Sequence, residues 1–131
     1  MQLPKQVDRL RAQQVATLYR DAIPGTLASF VAGPILVGLV DVIGGLAPGT
    51  AAAFLVILAV HTVARIALCL IYSRASPDPT VWRPWLRWMT LSALTGGLVW
   101  GIGSIMLMWS AGFDAQILLV LIVAGIASGA I

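Results

Sequence analysis

Residues 51–72, AAAFLVILAVHTVARIALCLIY, are apolar over roughly the 20 residues that a helix needs to cross a bilayer. Within this run His61 and Arg65 lie one helical turn apart on one face, and Cys69 follows a further turn along. Ionisable side chains in hydrocarbon are costly, so they face a protein interior, a water-filled cavity or the nearer interface. A functional centre inside the membrane is therefore expected around His61.

The rest of the chain has the same character. Of its 131 residues 60 % are hydrophobic and 10 % charged, with a mean hydropathy of +0.96. A soluble domain carries about 25 % charged residues, so this chain lacks the polar surface to dissolve. The expected fold class is an all-α integral membrane domain. The net charge of +3 does not imply nucleic acid, because the basic residues flank apolar runs. A single cysteine excludes an intrachain disulfide, and no Cys/His spacing here forms a zinc site. The N-terminus is charged and amphipathic before the first apolar run, which is not the pattern of a cleavable signal.

Outward from the opening stretch, the pattern predicts four transmembrane helices preceded by a cytoplasmic amphipathic helix over residues 1–23. In that first helix Leu3, Val7, Leu10, Leu18 and Ala22 fall near one side, with Lys5, Arg9, Gln13 and Arg20 opposite. The run Ala22-Ile23-Pro24-Gly25 is expected to break or bend the chain. The transmembrane domain, 24–131, then divides into crossings at about 26–43, 51–73, 89–109 and 115–131. Pro34 is expected to kink the first, and Asp41 to lie in the solvated outer interface. Pro77, Pro79 and Pro84 are expected to keep residues 73–87 from forming a continuous helix. Trp82, Trp85 and Trp88 interleave there with Arg83 and Arg87, as in an interfacial aromatic belt, or alternatively as a basic-aromatic binding patch.

In lipid, helices associate through close packing and hydrogen bonds rather than through apolar surface alone. The pairs Gly97/Gly101 and Gly125/Gly129 have the GxxxG spacing and predict close contact of the last two helices, within the chain or in a homodimer.

Catalytic constellations are absent from the sequence. There is no paired carboxylate, no phosphate-binding glycine loop and no nucleophile–base set, so no enzyme activity is read from this chain. His61 is the one histidine and lies roughly 16 Å along the second crossing from Thr50. It suits a haem or metal ligand, a protonatable switch, or a donor to a lipid-like signal or quinone. It equally suits a neutral imidazole bonded to a neighbouring helix. A bis-histidine haem would need a second copy of the chain. Arg65 is expected to snorkel toward the nearer headgroups, and Cys69 to behave as a small buried hydrophobe. Trp100, at the middle of the third crossing rather than at its end, is expected either to line a pocket beside His61 or to pack in the core.

Three segments carry a resemblance: Leu18-Tyr19-Arg20-Asp21-Ala22-Ile23-Pro24, Leu98-Val99-Trp100-Gly101 and Ala124-Gly125-Ile126-Ala127-Ser128-Gly129-Ala130. Their order resembles the MASE-like N-terminal multi-pass sensor regions of bacterial histidine kinases and diguanylate cyclases. The resemblance implies a sensory input module in the bacterial inner membrane, a homodimer, with a cytoplasmic output domain in cis. It implies no particular ligand residues. Because the apolar run is unbroken at Ile131, such an output domain is expected to follow.

Lys5, Arg9, Arg11, Arg20, Arg74, Arg83 and Arg87 flank the crossings on one side, whereas loops 44–50 and 110–114 contain no Lys or Arg. The positive-inside rule places the N-terminus, loop 74–87 and the C-terminus in the cytoplasm. In a Cys69→Ala background, a membrane-impermeant thiol reagent added to cells should modify Gly49→Cys and spare Ser76→Cys. The opposite labelling would invert the topology.

Overall fold

The computed structural model describes residues 3–110, 112–114, 116, 117, 120 and 124. Helix α1 runs over Leu3–Gly44, α2 over Pro48–Ala75 and α3 over Trp82–Ser110, with one 3-10 turn at Pro79–Val81. Among the described residues three helices are long and apolar enough to cross a membrane, and at most 28 % of the apolar 18-residue stretch that marks each is buried inside the protein. Side chains such as Val42, Val63 and Leu94 are exposed on the outside. An apolar exterior of this extent is suited to lipid and unsuited to water.

The first helix differs from the sequence expectation. The amphipathic segment and the first crossing are one uninterrupted α-helix, and the break expected at Ala22–Gly25 is absent. Both internal prolines, Pro24 and Pro34, lie on the exposed side. The buried or half-buried positions Val15, Tyr19, Ala22, Thr26, Ser29, Gly33, Leu36 and Val40 follow one another by alternating steps of four and three. That heptad spacing keeps one stripe facing the neighbouring helices across Pro24. The expected apolar face is therefore corrected: Val7, Leu10 and Leu18 point outward, and of that set Ala22 is buried.

Helix α3 begins at Trp82, seven residues before its expected start at Met89. Pro84 falls in the first turn, where backbone N–H groups have no intrahelical acceptor to lose, so it does not prevent a helix. The real interruption is short. Ser76 closes α2 in the left-handed conformation, with φ 39° and its N–H bonded to the Tyr72 carbonyl. Asp78 then accepts from the Thr80 N–H at 2.8 Å and its hydroxyl at 2.7 Å, which holds its carboxyl below the usual range. This cap is at full strength above the ordinary pKa of 3.8 and weakens on acidification below it. At the other end Asp41 is not simply solvated: it accepts from the Leu46 N–H at 2.9 Å and closes the α1–α2 turn around Gly45, whose φ is +66°.

Among the described residues packing occurs in two separate apolar clusters. The one near the Gly45 turn contains Leu36, Val40, Phe54, Leu58 and Leu107. The other lies near Trp82 and contains Val15, Tyr19, Ala22, Cys69 and Met89, with Tyr72 and Trp85 packed against it. Tyr19 stacks on Tyr72 with ring centroids 3.9 Å apart and donates its hydroxyl to the Trp85 carbonyl at 2.9 Å. Trp82 donates its indole N–H to Asp8 at 3.1 Å, while Arg11 and Arg83 each lie over its ring. Trp82 and Trp85, both half-buried, thus clamp α1 to α3. Trp88 and Trp109 are the exposed pair, 58 % and 89 % accessible. They are 21 residues apart on α3, about 32 Å along its axis, which matches the ~30 Å hydrocarbon core.

Among the described residues Gly97 and Gly101 make no close helix contact, and the fourth-helix partner expected for them lies almost wholly outside those residues. Both are exposed, and a Cβ at either would meet nothing within 4 Å. The close approaches are at Gly33, Gly96 and Gly103, which receive side chains of Leu58, His61 and Phe54 from α2. Gly125 and Gly129 lie outside the described residues. So does most of the fourth crossing expected at 115–131, of which Gln116, Ile117, Val120 and Ala124 are described, all helical.

Gly103→Leu should therefore lower stability in detergent or lipid by about 1–3 kcal/mol, because the added side chain competes with the Phe54 ring. Gly101→Leu should change it by less than about 0.5 kcal/mol. Reversible unfolding of the two variants measures the contrast, and equal losses would remove the assigned helix faces.

Candidate functional site

Between the two apolar clusters the three helices present polar or very small side chains to one another. Thr26 and Ser29 come from α1, His61, Thr62 and Arg65 from α2, and Gly96 from α3. Together with Trp100 and Gly97 they line a half-open cavity of about 480 Å³. This is within the range of about 300–1,000 Å³ typical of small-molecule sites.

Helix periodicity explains why α2 directs these groups inward. Phe54, Leu58, Thr62 and Cys69 form its buried stripe, and His61 and Arg65 lie beside it on the edge that meets α3. The missing side chain of Gly96 makes the room: a Cβ there would be 2.9 Å from His61 Nε2 and 3.6 Å from an Arg65 terminal nitrogen. Both ionisable groups therefore converge on one backbone point. Gly96 is eight residues from Trp88, about 12 Å along the axis and close to the middle of the span. Arg65 is thus corrected from its expected snorkelling: its guanidinium turns toward Gly96 at mid-span. A charged side chain at the centre of a membrane-spanning helix costs about 2.5–3.5 kcal/mol on insertion scales. Its Nε is buried without a hydrogen-bond partner among the described residues.

The expected site residues divide clearly. His61, Arg65 and Trp100 are brought together, with Trp100 edge-on to Phe54 at a centroid distance of 5.8 Å. Cys69 is buried in the cluster near Trp82 and does not line the cavity. Gly97 borders the cavity, and Gly101 does not. The alternative of a neutral histidine bonded to a neighbouring helix has no supporting hydrogen bond among the described residues. As for metal, among the described residues no group of three or more His, Cys, Asp or Glu side chains gathers.

Four contributors were not singled out from the sequence as site residues: Thr26, Ser29, Thr62 and Gly96. The first two belong to the heptad stripe of α1, and Gly96 is seven residues from both Met89 and Gly103 on α3. The seven-residue repeat was the available signal, and the more familiar four-residue glycine spacing beside it obscured it.

Three cavities meet at Arg65. Besides the central one, a larger cavity of about 790 Å³ extends along α1 past Gln13, Thr17 and Asp21. Another of about 380 Å³ opens between α2 and α3 at Leu68, Trp88 and Leu91. Arg65 is thus reached from three sides. Comparisons with known protein families, curated proteins and solved structures find no match to this chain.

Arg65→Leu should raise unfolding stability by about 1–3 kcal/mol, because it removes a half-buried mid-span cation whose Nε is buried without a partner among the described residues. Gly96→Val should lower it by a similar amount through collision with His61. A loss of stability in Arg65→Leu would show that the guanidinium has a partner.

Proposed function

We propose that this chain is a membrane-embedded sensory input module, which passes a signal by helix repacking to an effector on the cytoplasmic side. The observation that carries this reading is the polar, incompletely filled layer at mid-span, between two apolar clusters and crossed by one continuous helix. A layer of this kind has more than one way to pack, whereas the clusters on either side are close-fitted. Because α1 is uninterrupted, displacing Thr26 or Ser29 displaces the same rod that Tyr19, Arg11 and Asp8 fasten to α3. A ligand that binds one packing better than the other shifts the population, and the shift is read at the clamp. The basic residues collected near that clamp support its cytoplasmic placement in a bacterial inner membrane. A homodimer is consistent with the unoccupied Gly97 and Gly101 face. Resemblance to MASE-like sensor regions favours a histidine kinase or diguanylate cyclase as the effector.

The reading is tested by perturbing the layer and measuring at the clamp. Spin labels at Arg20→Cys and Arg87→Cys, in a Cys69→Ala background, report the separation of α1 and α3 near Trp82. Gly96→Leu, which fills the layer, should shift or split their distance distribution, and Gly101→Leu should not. An unchanged distribution in Gly96→Leu would mean that the layer and the clamp are uncoupled, and the sensory reading would fail.

A further inference from the structure

The cavity between α2 and α3 is lined by Arg65 and by His61, one helical turn away, and continues along the helix seam. Past Thr95, which it shares with the next cavity, the seam becomes an apolar groove of about 270 Å³ lined by Ile57, Leu98, Ile102 and Met106. We propose that this seam binds the anion of a long-chain fatty acid, with its carboxylate on Arg65 and its chain along Ile57, Leu98 and Ile102. The inference shares the His61–Arg65 layer with the sensory reading and names its ligand.

Charge is the first argument. The Arg65 guanidinium is held at mid-span with a buried, unpartnered Nε. Attraction between opposite charges grows as the dielectric falls, so an anion is worth more to this group here than in water. A carboxylate also matches the planar fork of a guanidinium with two parallel hydrogen bonds. A neutral acceptor such as a quinone carbonyl would leave the charge uncompensated. Asp21 lines the cavity on the α1 side of Arg65 but not the α2–α3 seam, so it does not compete for this face.

Orientation is the second argument. A head on Arg65 and a tail past Leu98 and Ile102 point toward the Gly45 end, the direction taken by an amphiphile from the Trp88 side. Depth then selects the class of amphiphile. The convergence point at Gly96 is about 12 Å inward from Trp88, on the scale of the helix rise. A phospholipid phosphate is tied to the interface by its headgroup and two chains, whereas a single-chain carboxylate is free to descend.

The test uses the full chain in phosphatidylcholine nanodiscs and palmitate bearing a photoactivatable diazirine midway along its chain. Photolabelling should concentrate on Ile57, Leu98, Ile102 and Met106. Unlabelled palmitate should compete for it, and palmitate methyl ester should compete at least ten-fold less well. Arg65→Gln should reduce labelling at least ten-fold, and Arg65→Lys, which keeps the charge without the fork, should lose less. The ester comparison is made on the unaltered protein, so it stands even if a variant fails to fold. Labelling spread evenly over lipid-facing residues, equal competition by the ester, or full labelling of Arg65→Gln would each overturn the proposal. Displacement by phosphatidylglycerol would assign the seam to a phospholipid instead and overturn it likewise. The two readings separate cleanly. Seam labelling as expected, with clamp distances that do not respond to Gly96→Leu, keeps the fatty acid and removes the sensor. A clamp that responds while palmitate labels without preference does the reverse.

Discussion

Insertion of α2 side chains into glycine notches on its neighbours is the constraint on which the rest of the bundle depends. Leu58 enters at Gly33 of α1, and His61 and Phe54 enter at Gly96 and Gly103 of α3. In lipid there is no solvent-driven collapse to hold helices together, so van der Waals contact at short range must do so. Each notch brings a backbone within reach of a large side chain and fixes the rotation of two helices at once. Two of the notches admit hydrocarbon and one admits an imidazole. That difference gives the span an apolar half and a polar middle.

Toward Trp82 a second kind of contact takes over. There the helices are joined through rings and hydrogen bonds: Tyr19 on Tyr72, the Tyr19 hydroxyl on the Trp85 carbonyl, and the Trp82 indole on Asp8. Arg11 and Arg83 flank the Trp82 ring, where the positive charge of the guanidinium meets the negative face of the π system. Polar contacts of this sort suit the boundary between lipid and water, where an amphipathic ring is at home in both. The bundle is therefore fastened at its two ends by different chemistry and is least filled between them. Arg65, at the meeting point of three cavities, occupies that gap.

Much of this was determined by the sequence alone. The share of charged residues and the long apolar runs dictate helices that cross a membrane, because a backbone in hydrocarbon must satisfy its own hydrogen bonds. A histidine and an arginine one turn apart inside such a run already mark the segment where function is to be sought. What only the tertiary structure decided concerns faces and partners. Pro24–Gly25 looks like a break, yet α1 passes through it, because tertiary contacts at Tyr19, Ala22 and Thr26 outweigh one lost backbone hydrogen bond. Trp82 and Trp85 have the composition of an interfacial belt, but their orientation depends on Asp8 and Tyr19, more than sixty residues away in the chain. Gly97 and Gly101 carry the familiar spacing, while Gly96 and Gly103 make the contacts. One residue turns a helix by about 100°, and spacing within one helix does not say which side its neighbour will take.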